Sequence, residues 1–314
     1  MNTISSQEDT SLFSLRQVFI MSAVSTGYLL LSWLLIGFKP EQVYLILGFN
    51  VLYFSSLSTR RFITGFSIFI IFWIIFDYMK AFPNYLYNVV HIETLYQAEK
   101  KAFGIHVAGN ILTPNEYWLQ HRSTFLDIIS GVFYLCWVPV PLAFAVYLFY
   151  KKRTVFLQFS LSFLVVNLVG FVIYYAYPAA PPWYVQQHGF GFIPGTPGNT
   201  AGLENFDRFF HSGIFQSLYS KSSNVFAAVP SLHASYMLVV LFYGMKYRMG
   251  WVNILFAAIM AGIWFSAIYS SHHYVLDVLA GIACAIFGIA LFQWLLLKSR
   301  FIKKAVDQFD RAIA

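Results

Sequence analysis

The chain has 314 residues, of which 59% are hydrophobic, 20% are aromatic and only 11% are charged. A soluble domain carries about a quarter charged residues, so this composition excludes an ordinary soluble protein, a disordered chain and a nucleic-acid-binding module. The net charge of +7 is explained first by membrane topology rather than by an anionic partner. The cysteines, Cys136 and Cys284, have no spacing typical of a disulfide framework or a zinc site.

Apolar segments long enough to cross about 30 Å of hydrocarbon follow one another along the chain. They predict eight membrane spans, at residues 16–37, 41–58, 62–80, 124–150, 154–177, 230–247, 250–270 and 273–297. The first segment lacks the pattern of a cleaved signal peptide, so we interpret it as a retained helix. The sequence therefore predicts an all-α, polytopic membrane helix bundle.

Basic residues predict the orientation of this bundle. Lys and Arg cluster at 60–61, 151–153, 246–248 and 298–304, each a short junction or tail, and the positive-inside rule places these positions in the cytoplasm. Both termini are then cytoplasmic. The two long connections, 81–123 and 178–229, fall on the extracytoplasmic face, as do all eight histidines.

Each long connection has recognisable local signals. Residues from Tyr85 to Phe103 predict an interfacial helical stretch, and Thr113 followed by Pro114 predicts a helix start. In the second connection, Trp183 and Tyr184 are expected to belong to the aromatic belt at the membrane interface.

Two histidine-containing motifs open the sixth and eighth spans. The first is Val229-Pro230-Ser231-Leu232-His233, and the second runs from Ser271 to Asp277 through His272 and His273. Forty residues of helix are about 60 Å long, or two crossings of the membrane, so His233 and His273 should return to the same face.

The spacing within these motifs suggests chemical roles. His273 and Asp277 are four residues apart, so a carboxylate can fix the imidazole tautomer and leave the other nitrogen free to attack an electrophile. Pro230 is expected in the first turn of a helix, which places His233 near an anion-favouring N-terminus, where it could act as a general acid. Either motif alone is equally typical of a helix cap or of a neutralised polar pair.

These residues resemble the signature motifs of the membrane-bound type-2 phosphatidic acid phosphatase superfamily. Phe226 to Val229, His272-His273-Tyr274 and the run from Tyr177 to Tyr184 are similar to its inositol phosphorylceramide synthase branch. The resemblance extends from about Pro114 to Gly281. It implies a six-helix catalytic core at 62–300, preceded by a pair of helices at 1–61 and followed by a cytoplasmic tail at 301–314.

The resemblance also implies residue roles. His273 would form a phosphohistidine, Asp277 would orient it, and His233 would protonate the departing alcohol and then activate the acceptor. The motif also makes Ser231 a candidate substrate-binding residue.

The chain departs from the hydrolytic branch of the superfamily in its basic residues. That branch has an Arg six positions before the nucleophile, where this chain has Ala267, and the run from Pro178 to Tyr184 contains no Lys or Arg. Charge for the phosphate must come from elsewhere. The candidates are Arg208 and Lys221, with Arg122 more remote in sequence.

The leading hypothesis is a lipid phosphotransferase that uses a membrane phospholipid donor and a lipid acceptor, with the site on the extracytoplasmic face. Phosphoinositol as the group and ceramide as the acceptor are implied by the resemblance alone. One alternative is a phosphatase that uses water at the same residues, and another is a proton-coupled transporter or membrane scaffold. No metal or cofactor is expected, and no protein partner is predicted.

Overall fold

The computed structural model describes residues 12–220 and 224–314, and these residues are largely helical. The α-helices are α1 (Leu15–Ile36), α2 (Pro40–Ser55), α3 (Leu57–Tyr78), α4 (Glu93–Phe103), α5 (Pro114–Gln120), α6 (Thr124–Leu135), α7 (Pro139–Lys151), α8 (Arg153–Ala176), α9 (Pro182–His188), α10 (Glu204–Phe209), α11 (Ile214–Tyr219), α12 (Leu232–Lys246), α13 (Val252–Tyr269), α14 (Val275–Lys298) and α15 (Arg300–Ile313). Short 3-10 helices lie at Met79–Ala81, Asn84–Leu86 and Ala201–Leu203. The strands β1 (Ile105–Val107) and β2 (Asn110–Leu112) form an antiparallel hairpin.

Several of these helices are long and apolar enough to cross a membrane, which makes the chain a multi-pass integral membrane protein. They are Leu15–Ile36, Leu57–Ala81, Thr124–Lys151, Arg153–Ala176, Val252–Tyr269 and Val275–Lys298. All eight predicted segments are helical, but the count of eight spans is not confirmed. The segments α2 and α12 have only 16 and 15 residues, or about 24 and 22 Å of helix, which is less than the hydrocarbon thickness.

The predicted span at 124–150 consists of two helices. After α6 ends at Leu135, residues 136–138 form a turn, and α7 begins at Pro139. Proline fits the first turn of a helix but cannot donate a backbone hydrogen bond within one, so Pro139 and Pro141 favour a break at this point. The break becomes important at the site, because Trp137 lies in it.

Two compact units divide the chain. One comprises the described residues up to Ala81 together with Lys304–Ala314, and the other comprises Phe82–Lys303. This division places α3 with the N-terminal helices, whereas the predicted core began at residue 62. The functional assignment of the predicted domains stays a prediction.

Polar pairs stabilise the first unit locally. Ser14 caps α1 by accepting a hydrogen bond from the backbone of Gln17. The Ser32 and Tyr78 hydroxyls are 2.8 Å apart and connect α1 to α3. Near the end of α3, the Lys80 ammonium lies 2.6 Å from the Asp77 carboxylate, which explains how an acid is accommodated at the edge of an apolar segment.

In the second unit, α8, α12, α13 and α14 surround a buried core that contains interhelical hydrogen bonds. The Tyr236 hydroxyl donates to Asn167 Oδ1 at 2.7 Å, and the Tyr243 and Ser162 hydroxyls are 2.7 Å apart. Such bonds satisfy polar groups that hydrocarbon cannot. Gly281 allows α14 to approach the start of α12 closely, since a Cβ there would collide with the Ser231 carbonyl oxygen.

The long connections form a backbone-bonded layer at the start of α12. Ala179 N donates to the Phe226 carbonyl at 2.9 Å, and Ala228 N donates to the Ala179 carbonyl at 3.2 Å. The side chain of Asn84, which is fully buried, donates to the carbonyls of Tyr174 and Phe226 at 2.8 Å each. These bonds fix the segment that immediately precedes the first histidine motif.

Two predictions for the connections were wrong in part. The stretch from Tyr85 to Phe103 is helical mainly in α4, because a 3-10 turn and non-helical residues precede Glu93. Trp183 and Tyr184 are only 4% and 0% exposed, so they pack inside the protein rather than in an interfacial belt. Their cluster includes Phe226, and the Tyr184 hydroxyl donates to the Gly191 carbonyl at 2.7 Å.

Candidate active site

The two histidines singled out in the sequence meet in the structure. His233 is the second residue of α12, and His273 lies in the turn between α13 and α14. His233 Nδ1 is 3.2 Å from His273 Nε2. His273 is almost completely buried and His233 is half-buried, so the two rings face each other in a site that excludes most water.

The other nitrogen of His273 faces two oxygen atoms. His273 Nδ1 is 3.1 Å from the Ala228 carbonyl oxygen and 3.5 Å from Asp277 Oδ2. Because both atoms are acceptors, they place the ring proton on Nδ1 and leave the Nε2 lone pair directed at His233. The spacing predicted Asp277 as the orienting group, and the structure adds the nearer backbone carbonyl of Ala228.

Two buried carboxylates cap the helix that carries Asp277. Asp277 Oδ2 accepts a hydrogen bond from Tyr274 N at 2.8 Å. Glu99, which belongs to α4, accepts from Val275 N at 2.9 Å and from Leu276 N at 3.0 Å. Both acids are 0% exposed. Carboxylates favour the unpaired N–H groups and the positive dipole end of a helix, so the pair fixes the start of α14.

Glu99 was missed by sequence reasoning because its partner lies 176 residues away. Only its position in an otherwise surface-like helix, followed by Lys100 and Lys101, was visible, and that pattern predicts a solvated acid. Burial is the largest influence on this carboxyl group and raises its pKa to about 7, while the two backbone hydrogen bonds oppose the rise.

A second missed residue, Asn115, holds the turn that contains His273. Its side-chain amide donates to the carbonyls of Ile268 and His273, at 2.8 and 2.9 Å. The backbone amides of His272 and His273 both donate to the Ala267 carbonyl at 3.0 Å. The position that carries an Arg in the hydrolytic branch therefore contributes a backbone acceptor here.

Aromatic rings surround the histidine pair. Trp137, in the α6–α7 break, packs edge-on against His233 at a ring distance of 4.5 Å, and Tyr134 lies 5.2 Å from the same ring. His272 stacks on Tyr219 at 4.3 Å, and its Nε2 donates to the Thr200 carbonyl at 2.9 Å. Burial lowers the pKa of His272 well below its usual value, which favours the neutral form of this third histidine.

The start of α12 differs from the prediction for Pro230. The helix begins at Leu232, so Pro230 precedes the cap instead of occupying the first turn. The cap is Ser231, whose hydroxyl accepts from Ala234 N at 3.4 Å, while Ser231 N donates to the Asp277 carbonyl at 2.9 Å. Ser231 is thus buried between α12 and α14, and its predicted role in substrate binding stays a prediction.

The predicted phosphate-binding cations have different positions. Arg208 is 70% exposed and pairs with Glu204 at 3.2 Å, and Lys221 lies outside the described residues. Arg122 approaches the histidine turn, because a Cβ added to Gly202 would lie 2.7 Å from Arg122 Nη2 and 2.8 Å from Ser270 Cα. Arg122, which is the candidate cation most remote in sequence from the histidine motifs, therefore lies close to the turn that precedes His272.

This arrangement is suited to nucleophilic chemistry at phosphorus. His273 Nδ1 is anchored on its oxygen acceptors, and Nε2 faces His233, which is close enough to exchange a proton with a group bound at that nitrogen. Within residues 12–220 and 224–314, no group of three or more His, Cys, Asp or Glu side chains could hold a metal ion.

Comparisons with known proteins show which family this chain resembles. The family model described as "PAP2 superfamily" matches residues 102–291. A phosphoinositol dihydroceramide synthase of Bacteroides thetaiotaomicron is 45% identical over 302 residues, which cover 96% of this chain and 99% of that protein. An inositol phosphorylceramide synthase of Candida albicans is 27% identical, over 80% of this chain and 51% of that protein. The inositol phosphorylceramide synthase catalytic subunit AUR1 of Saccharomyces cerevisiae is also 27% identical, over 78% of this chain and 61% of that protein. No solved structure matches this chain.

Proposed function

The chain belongs to the PAP2 superfamily, in the branch of the inositol phosphorylceramide synthases, and from this membership we propose that it moves a phosphoinositol-type head group from a phospholipid to the hydroxyl of a ceramide-type lipid. The observation that carries the proposal is the 3.2 Å approach of His233 Nδ1 to His273 Nε2, with His273 Nδ1 bonded on its far side. The names of the relatives support the identities of donor and acceptor.

The first step forms the covalent intermediate. The Nε2 lone pair of His273 attacks the phosphorus of the donor, the bond from phosphorus to the diacylglycerol oxygen breaks, and His233 gives its proton to that oxygen. The imidazole of His273 gains positive charge in this step. The Ala228 carbonyl and the Asp277 carboxylate beside its Nδ1 stabilise that charge.

The second step releases the enzyme. His233, which has lost its proton, removes the proton of the lipid hydroxyl, and the oxygen attacks the phosphorus on its other side. The bond from phosphorus to Nε2 breaks, and the electron pair returns to His273. The products are diacylglycerol and a phosphoinositol ceramide, and His233 is again protonated.

The surroundings of the histidines favour a lipid acceptor over water. Trp137 and Tyr134 pack on His233, while Tyr219 stacks on His272, so apolar ring surface covers much of the site. A lipid hydroxyl enters such surroundings together with its apolar chain, which is compatible with them. A water molecule has no apolar part, so placing it there has a larger desolvation cost.

The proposed orientation places the histidines on the extracytoplasmic face and both termini in the cytoplasm. The supporting observation is that α12 carries His233 at its start and Lys246 at its end, so the histidines and the basic junction are about 20 Å apart along one helix. A membrane-impermeant thiol reagent tests this orientation, with a single cysteine introduced at the exposed position Gly191 or Lys303 after both native cysteines are replaced by serine. Only the cysteine at 191 is expected to react in intact cells.

The decisive experiment for the proposal is a transfer assay with purified protein and phosphatidylinositol labelled in its head group. With ceramide present, the label should move to a ceramide product, and His273→Ala should form none. Release of free inositol phosphate at the same rate with and without ceramide would show that the protein is a phosphatase, and the transferase proposal would be wrong.

A further inference from the structure

A cavity of about 460 Å³ lies at the end of the second unit opposite to the histidines. It is formed between two junctions, the one from α7 to α8 and the one from α12 to α13. Its lining residues are Lys152, Thr154, Val155, Gln158, Lys246, Tyr247 and Arg248. Because His233 starts α12 and Lys246 ends it, this cavity is separate from the candidate active site.

Three of the lining residues are cations, and none is an acid. The Lys246 ammonium lies 3.0 Å from Gln158 Oε1 and 3.3 Å from Gln293 Oε1. The Lys152 ammonium is placed over the ring of Tyr247 at 5.5 Å. Amide oxygens and aromatic rings position a cation but do not neutralise it, so the charge of both lysines remains available.

No carboxylate forms an ion pair with Lys152, Lys246 or Arg248 in the described part of the chain. The long helix α8 begins beside the cavity, and its capping residue Lys152 makes no side-chain cap hydrogen bond. The positive end of the α8 dipole and the negative ends of the α7 and α12 dipoles all lie at these junctions, so the field at the cavity comes mainly from the three cations. The three cations therefore line one cavity without a carboxylate partner among the described residues, which favours binding of an anion there.

The apolar surroundings of the cavity suit a ligand that is itself anchored in the membrane. Tyr150 precedes Lys152 and is 67% exposed, while Trp251 and Ile254 follow Arg248 and are 74% and 73% exposed. Exposed apolar side chains beside a membrane junction are suited to contact with acyl chains, whereas a free phosphate has no apolar part to place against them.

We propose that this basic cavity binds the phosphate of an anionic phospholipid head group from the adjacent leaflet. Basic pockets between membrane helices are suited to such head groups, since several cations converge on one phosphate while the tails remain in the bilayer. The proposal does not depend on the reaction at His273. It assigns to the chain a second lipid site, with a lipid that is held rather than converted.

The test measures lipid retention by native mass spectrometry of the full-length protein purified in an uncharged detergent. The probes are phosphatidylglycerol, phosphatidylcholine and inorganic phosphate. The test variant combines Lys152→Gln, Lys246→Gln and Arg248→Gln. Its matched control combines Lys303→Gln, Lys304→Gln and Arg311→Gln, which removes the same charge from exposed positions of α15.

Wild type and control should retain phosphatidylglycerol about tenfold more than phosphatidylcholine, and the test variant should lose that preference. Equal retention by the test and control variants would overturn the proposal. Binding of inorganic phosphate that depends on the three residues, without phosphatidylglycerol retention, would overturn the lipid assignment. Lipid conversion by the test variant verifies that the variant is folded. If the test variant is inactive, the single variants Lys152→Gln and Arg248→Gln are compared with Lys152→Arg. The Lys152→Arg variant keeps the charge and should retain the lipid.

Discussion

The two ends of α12 organise polar groups in different ways. At its start, His233 and the neighbouring His273 are held by neutral contacts, backbone carbonyls and buried carboxylates. At its end, Lys246 is held by amide oxygens in a cavity lined by further cations. At the first end, hydrogen bonds position the ring of the proposed nucleophile, whereas at the second end several positive charges lie close together.

The two ends of α12 depend on the rest of the fold to different extents. The basic end is built from residues close to two chain junctions, so the local sequence at these junctions nearly suffices to place its cations. The histidine end needs α4, α5, the segment at 226–228 and the turn at 270–274 to meet. Glu99 accepts two backbone hydrogen bonds there, Asn115 donates two, and the Ala228 carbonyl accepts one from the imidazole. Substitutions at the two ends should therefore have effects of different kinds.

The largest expected effect follows removal of the proposed nucleophile. His273→Ala should lower turnover by about 10⁴-fold or more, because the proposed covalent intermediate forms on His273 Nε2. Turnover is measured by product formation from labelled phospholipid, with membrane insertion and thermal stability as controls. A His273→Ala protein with more than a tenth of wild-type turnover would contradict the proposed role.

The next effect separates the two functions of Asp277. In Asp277→Asn the amide oxygen can still accept from Tyr274 N, so the cap of α14 is kept, but the negative charge beside His273 Nδ1 is lost. We expect kcat to fall about 100-fold with little change in thermal stability. Asp277→Ala should lose both functions, and equal stability and kcat in the two variants would show that the carboxylate has no separate electrostatic role.

Glu99→Gln tests whether the cap of α14 affects the reaction, because the described hydrogen bonds of Glu99 go to the α14 backbone and not to the histidines. The amide can accept only one of the two α14 backbone hydrogen bonds, and leaving an N–H unpaired costs about 1–3 kcal/mol. We expect a roughly tenfold loss of kcat with an unchanged KM, since the start of α14 shifts but the lipid surface is intact. A changed KM alone would show that Glu99 contacts substrate.

The same residue predicts a pH dependence. The pKa of Glu99 is raised to about 7, so its two-oxygen cap is complete above pH 7 and is lost as protonation proceeds below it. The stability of the fold depends on pH in the opposite direction. Because the folded protein binds the Glu99 proton more tightly than the unfolded chain does, this group stabilises the fold at low pH. That stabilisation is lost as pH rises from about 4.5 to 7. The kcat profile of wild type should therefore rise through pH 7, and the Glu99→Gln profile should lack that rise.

The smallest expected effect is at Arg208. If its exposed guanidinium binds the donor phosphate, Arg208→Gln should raise KM a few-fold and leave kcat unchanged, because a solvated charge contributes about 1 kcal/mol or less. Glu204→Gln removes the same ion pair but keeps the cation, and it should not raise KM. Equal KM values in the two variants would remove Arg208 from the list of substrate-binding residues.

The sequence was sufficient for the elements whose signals are local. Apolar length located helix in all eight predicted segments, although the segment at 124–150 is two helices and the polar helix α15 was not predicted. The forty-residue spacing together with helix rise predicted that His233 and His273 would lie at one face. The i,i+4 relation of His273 and Asp277 likewise survives in the structure, as a 3.5 Å contact.

The remainder depended on contacts between distant segments, which periodicity does not encode. Nothing near Glu99 in the sequence indicates that its carboxylate is buried against α14, and Ala228 acts through a carbonyl that every residue possesses. Trp183 and Tyr184 have the composition of interfacial residues but are buried by the layer of connections around Phe226. Exposure in such cases is decided by tertiary packing rather than by residue type.

The most direct test of the central claim is to trap the intermediate. Wild-type protein is mixed with phospholipid labelled at the head-group phosphate in the absence of acceptor, quenched, and digested for peptide mapping. We expect an acid-labile, alkali-stable label on the peptide that contains His273, and no such label in His273→Ala. Label on another residue, or turnover without any trapped label, would contradict it.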